Sequence, residues 1–238
     1  MIADSFRSRL RAARDRGSPL VRLLDGVRRV GRAEDRALLW TRIAHRGALH
    51  QTSGTSWPER YPELFNLVAE LASGAGRILS FGCSSGEELE ALRRRFPEAE
   101  IVGAEINPRL RRAATKRMAG DGRVAVVPPN AIEGMFDIVL ALSVLQRLPD
   151  QVEKRGVTDL SASYPFARFD DEVARLAARI APGGLLCVTN AHYRVEDSNV
   201  AGLFDPVPGS PPMSHPLFGR DSRRLPADAV ARSIFRKL

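Results

Sequence analysis

No stretch of 18 consecutive apolar residues occurs in this 238-residue sequence, and its most hydrophobic segment, MFDIVLALSVLQRL, contains Asp137 and runs into Arg147. A membrane-spanning helix is therefore not expected. The opening MIADSFRSRLRAARDRG lacks the unbroken apolar core and small-residue cleavage site of a secretory signal, so a cytoplasmic location is the expectation. Cysteine is scarce: Cys83 and Cys187 are too few for a disulfide framework or a zinc site. The histidines, His45, His50, His192 and His215, form no pair at metal-ligand spacing, and no metal is implied. Lysine is nearly absent, with only Lys116, Lys154 and Lys237. A phosphate-cradling G-x-x-x-x-G-K-[ST] loop is missing, which argues against ATP or GTP hydrolysis.

What is present has the size and balance of one globular domain with short additions, at 44% hydrophobic and 27% charged residues. The net charge of +8 is unevenly placed, because residues 1–46 carry 12 arginines against 5 acids. Residues 1–56 read as a basic helical extension, with apolar positions such as Phe6, Leu10 and Ala13 at helical spacing. That extension is either a solvated helical face or a docking surface for RNA or another anionic partner. Residues 57–238 read as the main domain, opening on a helix over Tyr61–Ala72.

From Arg77 onward, short apolar runs alternate with helical stretches, the pattern of βαβ units around a mostly parallel sheet. Strands are expected at RILSF, EIVGAE, RVAVVP, FDIVLAL and LLCVTN. Helices are expected at Glu87–Phe96, Pro108–Ala119 and Asp170–Ile180, with PGG as a turn before the fifth strand. The Pro- and Gly-rich tail ends in RSIFRKL, for which an antiparallel edge hairpin is predicted. The fold class is thus α/β, doubly wound, with an antiparallel C-terminal edge.

The segment ILSFGCSSGEELEAL is a buried strand, a glycine loop and an immediate helix. Gly82 permits a sharp turn off the strand, Gly86 lets backbone approach a ligand, and the helix N-terminus presents N–H groups. Glu105, nineteen residues after Gly86, ends the second strand, where a carboxylate can accept both hydroxyls of an adenosine ribose. A dinucleotide fingerprint would need glycine where Ser84 and Glu87 stand, and acids at Glu87 and Glu88 would repel a pyrophosphate there. What remains is a nucleoside cofactor without phosphates.

Across about residues 57–190 the sequence resembles the class I S-adenosylmethionine-dependent methyltransferases, a Rossmann-like fold. FGCSSGEE is similar to the loop G-C-S-T-G-E-E of the chemotaxis receptor methyltransferases, and Arg60 stands five residues before Phe65 as an Arg does before a Phe upstream in that family. The later IAPGGLLCVTN resembles the turn and fifth strand of the whole class. The resemblance implies S-adenosyl-L-methionine as cofactor, held by Gly82, Cys83, Ser84, Ser85, Gly86 and Glu105. Ile106 would pack on the adenine, and Asn130 with Ala131 would read its amino edge. Cys83 reads equally as a small buried filler, and Ser84 and Ser85 as helix caps. Departures are also visible: the fourth strand runs into ALSVLQRL rather than R-N-V, and Ser80 stands where many members of the class carry an acid.

Methyl transfer from a sulfonium needs mainly alignment, and a base only if the nucleophile carries a proton. The candidates on the substrate side are His192 and Tyr193, just past the fifth strand, with His192 as a possible general base, and Arg60. The expected activity is methylation of an O or N atom of a small molecule. The alternatives are a protein carboxylate or RNA docked by the basic N-terminus, and a cofactor-binding protein without chemistry.

Overall fold

The computed structural model describes His50, residues 59–213 and residues 216–238. The expected helical extension over residues 1–56 lies outside the described residues. Among those described, no helix is long and apolar enough to cross a membrane, and no group of metal-ligating side chains could hold an ion.

The chain enters through α1 (Pro62–Leu71) and alternates β1 (Arg77–Phe81), α2 (Glu87–Arg95), β2 (Glu100–Ala104), α3 (Pro108–Arg117) and β3 (Val124–Val127). A short 3-10 turn at Pro129–Ala131 leads to β4 (Phe136–Leu142), followed by α4 (Pro149–Lys154), α5 (Phe166–Ala177) and β5 (Ile180–Thr189). Two further strands, β6 (Phe204–Pro206) and β7 (Ile234–Lys237), close the described fold. The sheet order is β3-β2-β1-β4-β5-β7-β6. The first five strands are parallel, and β7 runs antiparallel to both β5 and β6. This is the Rossmann-like methyltransferase arrangement, and the chain reverses direction along the sheet between β1 and β4.

Period-two alternation divides the strands between two cores. Leu79, Val139, Ala141, Leu186 and Val188 face a cluster with α5, whereas Ile78, Ile138, Leu140, Leu185 and Cys187 face a cluster with α1 and α2. Helices are thus needed on both faces. The local chemistry fits the elements: α2 carries Glu87, Glu88 and Glu90 in its first turn and Arg93, Arg94 and Arg95 in its last, complementing the helix dipole. At α3, Asn107 caps the N-terminus by accepting from the Arg109 and Leu110 amides, and Pro108 follows at the first helical position. Asp137 accepts from the Gly76 and Arg77 amides at 2.8 and 2.9 Å, tying the start of β4 to the start of β1.

One expectation needs correction. The PGG segment is not a free turn but lies inside β5, where a bulge between Phe136 and Ile138 adjusts the register and Gly183 takes φ +77°. The tail does supply the expected antiparallel edge: β6 and β7 pair antiparallel, with β7 inserted next to β5 and β6 outermost.

Candidate functional site

At the carboxyl end of β1 the chain turns at Gly82, whose φ is +82°. A Cβ there would stand 2.7 Å from Val144 Cγ2, just past β4. Only glycine satisfies both demands. The Gly82 and Cys83 amides donate to the Ala104 carbonyl, so the loop is pinned to the end of β2.

Glu105 stands at that end. Its Oε2 accepts from the Ser84 amide at 3.0 Å and its Oε1 from the Asn107 amide at 2.7 Å. The side chain is buried. Burial pushes its carboxyl above the usual carboxylate range, while the Asn107, Ser84 and Ile106 amides and the Arg111 cation pull it back. The backbone amides thus fix the orientation of the carboxylate.

Other loop residues serve packing. Gly86, at φ +94°, is the N-cap of α2, and a Cβ there would lie 3.1 Å from the Ala114 backbone on α3. Its bareness permits close approach of α2 and α3. Ser84 and Ser85 do not cap α2. Ser85 Oγ instead donates to the Glu87 carboxylate at 2.8 Å, which Arg117 pairs at 2.7 Å. Cys83 is buried in the α1/α2 core, with burial pushing its thiol well up, and it is inert as a nucleophile. Ile106 is half-buried next to Glu105. Asn130 and Ala131 are exposed on the turn after β3, and Asn130 borders an open cleft of about 160 Å³ that Leu79, Ile132 and Arg179 also line.

Sequence reasoning missed Glu88. Ser80, in the place where the wider class carries an acid, donates its hydroxyl to Glu88 Oε1 at 2.7 Å. A carboxylate from the first turn of α2 thus reaches β1 at Ser80. Burial raises its pKa to about 7, opposed by the Ser80 hydrogen bond and by Arg60. The doubled acid of GEE was the available signal.

A second missed group gathers at the ends of β4 and β5. Asn190 Nδ2 donates to Tyr61 Oη at 2.7 Å and to Ser143 Oγ at 2.9 Å, and the two hydroxyls meet at 2.5 Å. Ser143 and Asn190 both hold positive φ, +56° and +50°, a strain found preferentially at functional sites. Arg60 places its guanidinium 5.3 Å from the Tyr61 ring centre.

His192 and Tyr193 are not on an open rim. Both are fully buried. His192 Nε2 donates to the Arg147 carbonyl at 3.1 Å when it carries the ring proton, and Tyr193 donates to the Tyr164 carbonyl and to Ser222 Oγ. Burial drives the Tyr193 phenol to about 12. They belong to a polar aromatic core with Tyr164, whose hydroxyl bonds His50 Nδ1 at 2.6 Å while His50 Nε2 faces Glu172 at 3.2 Å. The structure therefore brings Arg60 to the site and holds His192 and Tyr193 in the packing behind it.

Comparison with known proteins agrees with the chemistry of the loop. Residues 79–163 match the family model described as a methyltransferase domain. The chain is 29% identical over 180 residues to trans-aconitate 2-methyltransferase of Methylobacterium nodulans, covering 74% of this chain and 58% of that protein. It is 25% identical over 154 residues to the enzyme of the same name from Variovorax paradoxus, covering 63% and 51%. The chain thus spans a little over half the length of these relatives. Among solved structures, the S-adenosylmethionine-bound amino pentose methyltransferase CalS10 of Micromonospora echinaspora is 25% identical, with a TM-score of 0.41 over 61% of this chain and 53% of that one. The matched family segment holds Gly82, Glu88, Glu105 and Ser143, so the part of this chain similar to a methyltransferase domain is the part that builds most of the site.

Proposed function

We propose that the chain is an S-adenosylmethionine-dependent methyltransferase acting on an O or N atom of a small molecule. The observation that carries this reading is Glu105: a buried carboxylate at the end of β2, oriented by the Ser84 and Asn107 amides. A carboxylate so placed is the acceptor for the hydroxyls of a ribose. Gly82 and its neighbours supply the wall, Ile106 an apolar face, and Asn130 with Ala131 the adenine edge. Glu88, bonded by Ser80, is the anion for the methionine ammonium. The residues therefore fit the cofactor.

When bound, the cofactor supplies an electrophilic methyl on a sulfonium. The protein's own contribution is placement, for which alignment alone is worth about 7–11 kcal/mol of barrier. The names of the curated relatives, with a small-molecule acceptor, support the substrate class. The chemotaxis-type loop supports the cofactor half of the reading and not the acceptor.

Calorimetry tests it. S-adenosylhomocysteine should bind and NAD should not, because the loop spacing is wrong for a pyrophosphate. NAD binding without a response to S-adenosylhomocysteine would overturn the reading. Failure to release S-adenosylhomocysteine from S-adenosylmethionine across a metabolite panel would reduce it to cofactor binding alone.

A further inference from the structure

After β4 the chain crosses the carboxyl edge of the sheet in residues 143–148, the stretch where the sequence has SVLQRL. The segment lies between two strained turns, Ser143 at φ +56° and Leu148 at φ +46°. A leucine in the left-handed region is an outlier, held only where the surroundings force it. Here they do. The Ser143 amide donates to the Thr189 carbonyl, the Val144 carbonyl accepts from the Gln146 amide at 2.9 Å and the Leu145 carbonyl from the His192 amide at 3.3 Å. The Arg147 carbonyl meets His192 Nε2 at 3.1 Å.

Within this pinned segment one strong acceptor is left over. Gln146 is only 1% exposed. Its Nε2 donates to the Ser143 carbonyl at 3.0 Å, and because a carbonyl can only accept, that bond fixes which end of the carboxamide is which. The other end, Oε1, is buried and has no hydrogen-bond partner among the described residues. The hydroxyls nearby are already engaged, since Tyr61, Ser143 and Asn190 bond one another. A buried acceptor without a donor lowers stability, and an apolar side chain of similar length would avoid that loss. The amide is therefore explained by a donor that the described fold does not itself contain.

The place of Gln146 says which donor. Val144, two residues earlier, stands 2.7 Å from where a Gly82 Cβ would be, so the segment lies directly on the cofactor loop. On the reading above, the adenine lies over the end of β3, the ribose over β2 at Glu105 and the methionine over β1. Continuing along β3-β2-β1-β4, the next place on the carboxyl edge is the end of β4, toward which the methyl group points. We propose that Gln146 Oε1 borders the point of methyl transfer and accepts a hydrogen bond from the N–H or O–H that stands there, which in turnover belongs to the nucleophile. The proposal rests on the cofactor reading and extends it to the reacting centre. A carboxamide oxygen takes no proton near neutral pH, so Gln146 is not a general base. It holds the hydrogen of the nucleophile to one side while the lone pair turns to the methyl carbon, which is the alignment this chemistry needs.

The test needs no acceptor, because sinefungin carries an amine-bearing carbon where the cofactor has its methylated sulfur, and so brings N–H donors to the transfer point. Calorimetry on the full chain compares it with S-adenosylhomocysteine, which has no donor there. The parent should bind sinefungin about tenfold more tightly, as one added charge-assisted hydrogen bond gives. Gln146→Met, of similar length and without the oxygen, should abolish that preference while leaving the affinity for S-adenosylhomocysteine and the thermal midpoint near the parent's. Gln146→Glu, with a charged acceptor in the same place, should widen the preference, and it decides the matter alone if Gln146→Met does not fold. Equal affinity of the parent for the two ligands, or a preference that neither substitution moves, would overturn the proposal and leave Oε1 to a fixed water. Equal weakening of both ligands in Gln146→Met would overturn it too, since the side chain would then only hold the segment in place. Absence of S-adenosylhomocysteine binding by the parent would instead bring down the cofactor reading on which the proposal stands.

Discussion

At the scale of single residues, two carboxylates do different work because their surroundings differ. Glu105 holds the loop through the Ser84 and Asn107 amides, and on the proposed function it also binds the ribose. Glu105→Ala should weaken S-adenosylhomocysteine binding at least tenfold, since each hydrogen bond to a charged acceptor is worth about 1.5–3 kcal/mol. It should also lower stability without ligand, because the Ser84 and Asn107 amides lose their acceptor, at about 1–3 kcal/mol for each buried group left unpaired. Calorimetry and urea denaturation measure the two effects separately; parent-like binding would remove Glu105 from the ribose site. Glu88 carries the pH dependence. Its carboxyl titrates near 7 in the fold against 4.5 for the free group, so the folded state holds the proton more tightly. Its contribution to stability is therefore most favourable below about 4.5 and is lost as pH rises toward 7. Ammonium binding has the opposite sign, because it needs the ionised form. Affinity for S-adenosylhomocysteine should rise about tenfold between pH 6 and pH 8, as a group of pKa near 7 requires, and Glu88→Gln should flatten that profile. A profile unchanged by Glu88→Gln would place the ammonium elsewhere.

At the scale of elements, the parts legible in the sequence are those whose own pattern decides them. RILSF and FDIVLAL match β1 and β4 residue for residue, because each is a short apolar run bounded by polar or turn-forming residues. The helices α2 and α3 end within two residues of expectation, since Gly86 and Asn107-Pro108 mark their starts. The start of α5 at Phe166 lies four residues before the expected Asp170, because no side chain caps it to mark the start. Long-range pairing was not legible. Twenty-seven residues separate the end of β6 from the start of β7, and nothing local indicates that the later strand inserts. For the site, glycine spacing and strand-end position pointed to Gly82 and Glu105. The Tyr61–Ser143–Asn190 group joins residues 82 and 129 positions apart, and only the strand order brings them together. The burial of His192 and Tyr193 escaped for a related reason, since aromatic partners from α5 and from Phe218 convert a strand-end position into core.

At the scale of the whole molecule, β5 and β6 both depend on a strand that comes last in the described fold. β7 pairs with β5 at Leu185, Leu186 and Cys187 and with β6 at Phe204, Asp205 and Pro206. Ile234 and Phe235 are buried, one on each face of the sheet. Lys237 donates to the Ala177 and Ile180 carbonyls at 2.9 and 2.7 Å, satisfying the open end of α5 where a cation is favoured. β5 in turn carries Asn190 at its far end. Deleting residues 234–238 should therefore unpair β5 and β6 together, expose a parallel-sheet strand with a hydrophobic edge, and promote association between chains. Phe235→Ala is the milder form and should cost about 3–5 kcal/mol, as for other buried aromatics. Lys237→Met keeps the apolar stem and removes only the cap, so it should cost no more than about 1–2 kcal/mol. Urea denaturation should rank the three in that order, with loss of acceptor turnover following stability rather than preceding it. A deletion variant with the parent's midpoint would show that β7 is an appendage and that β5 is held by β4 alone.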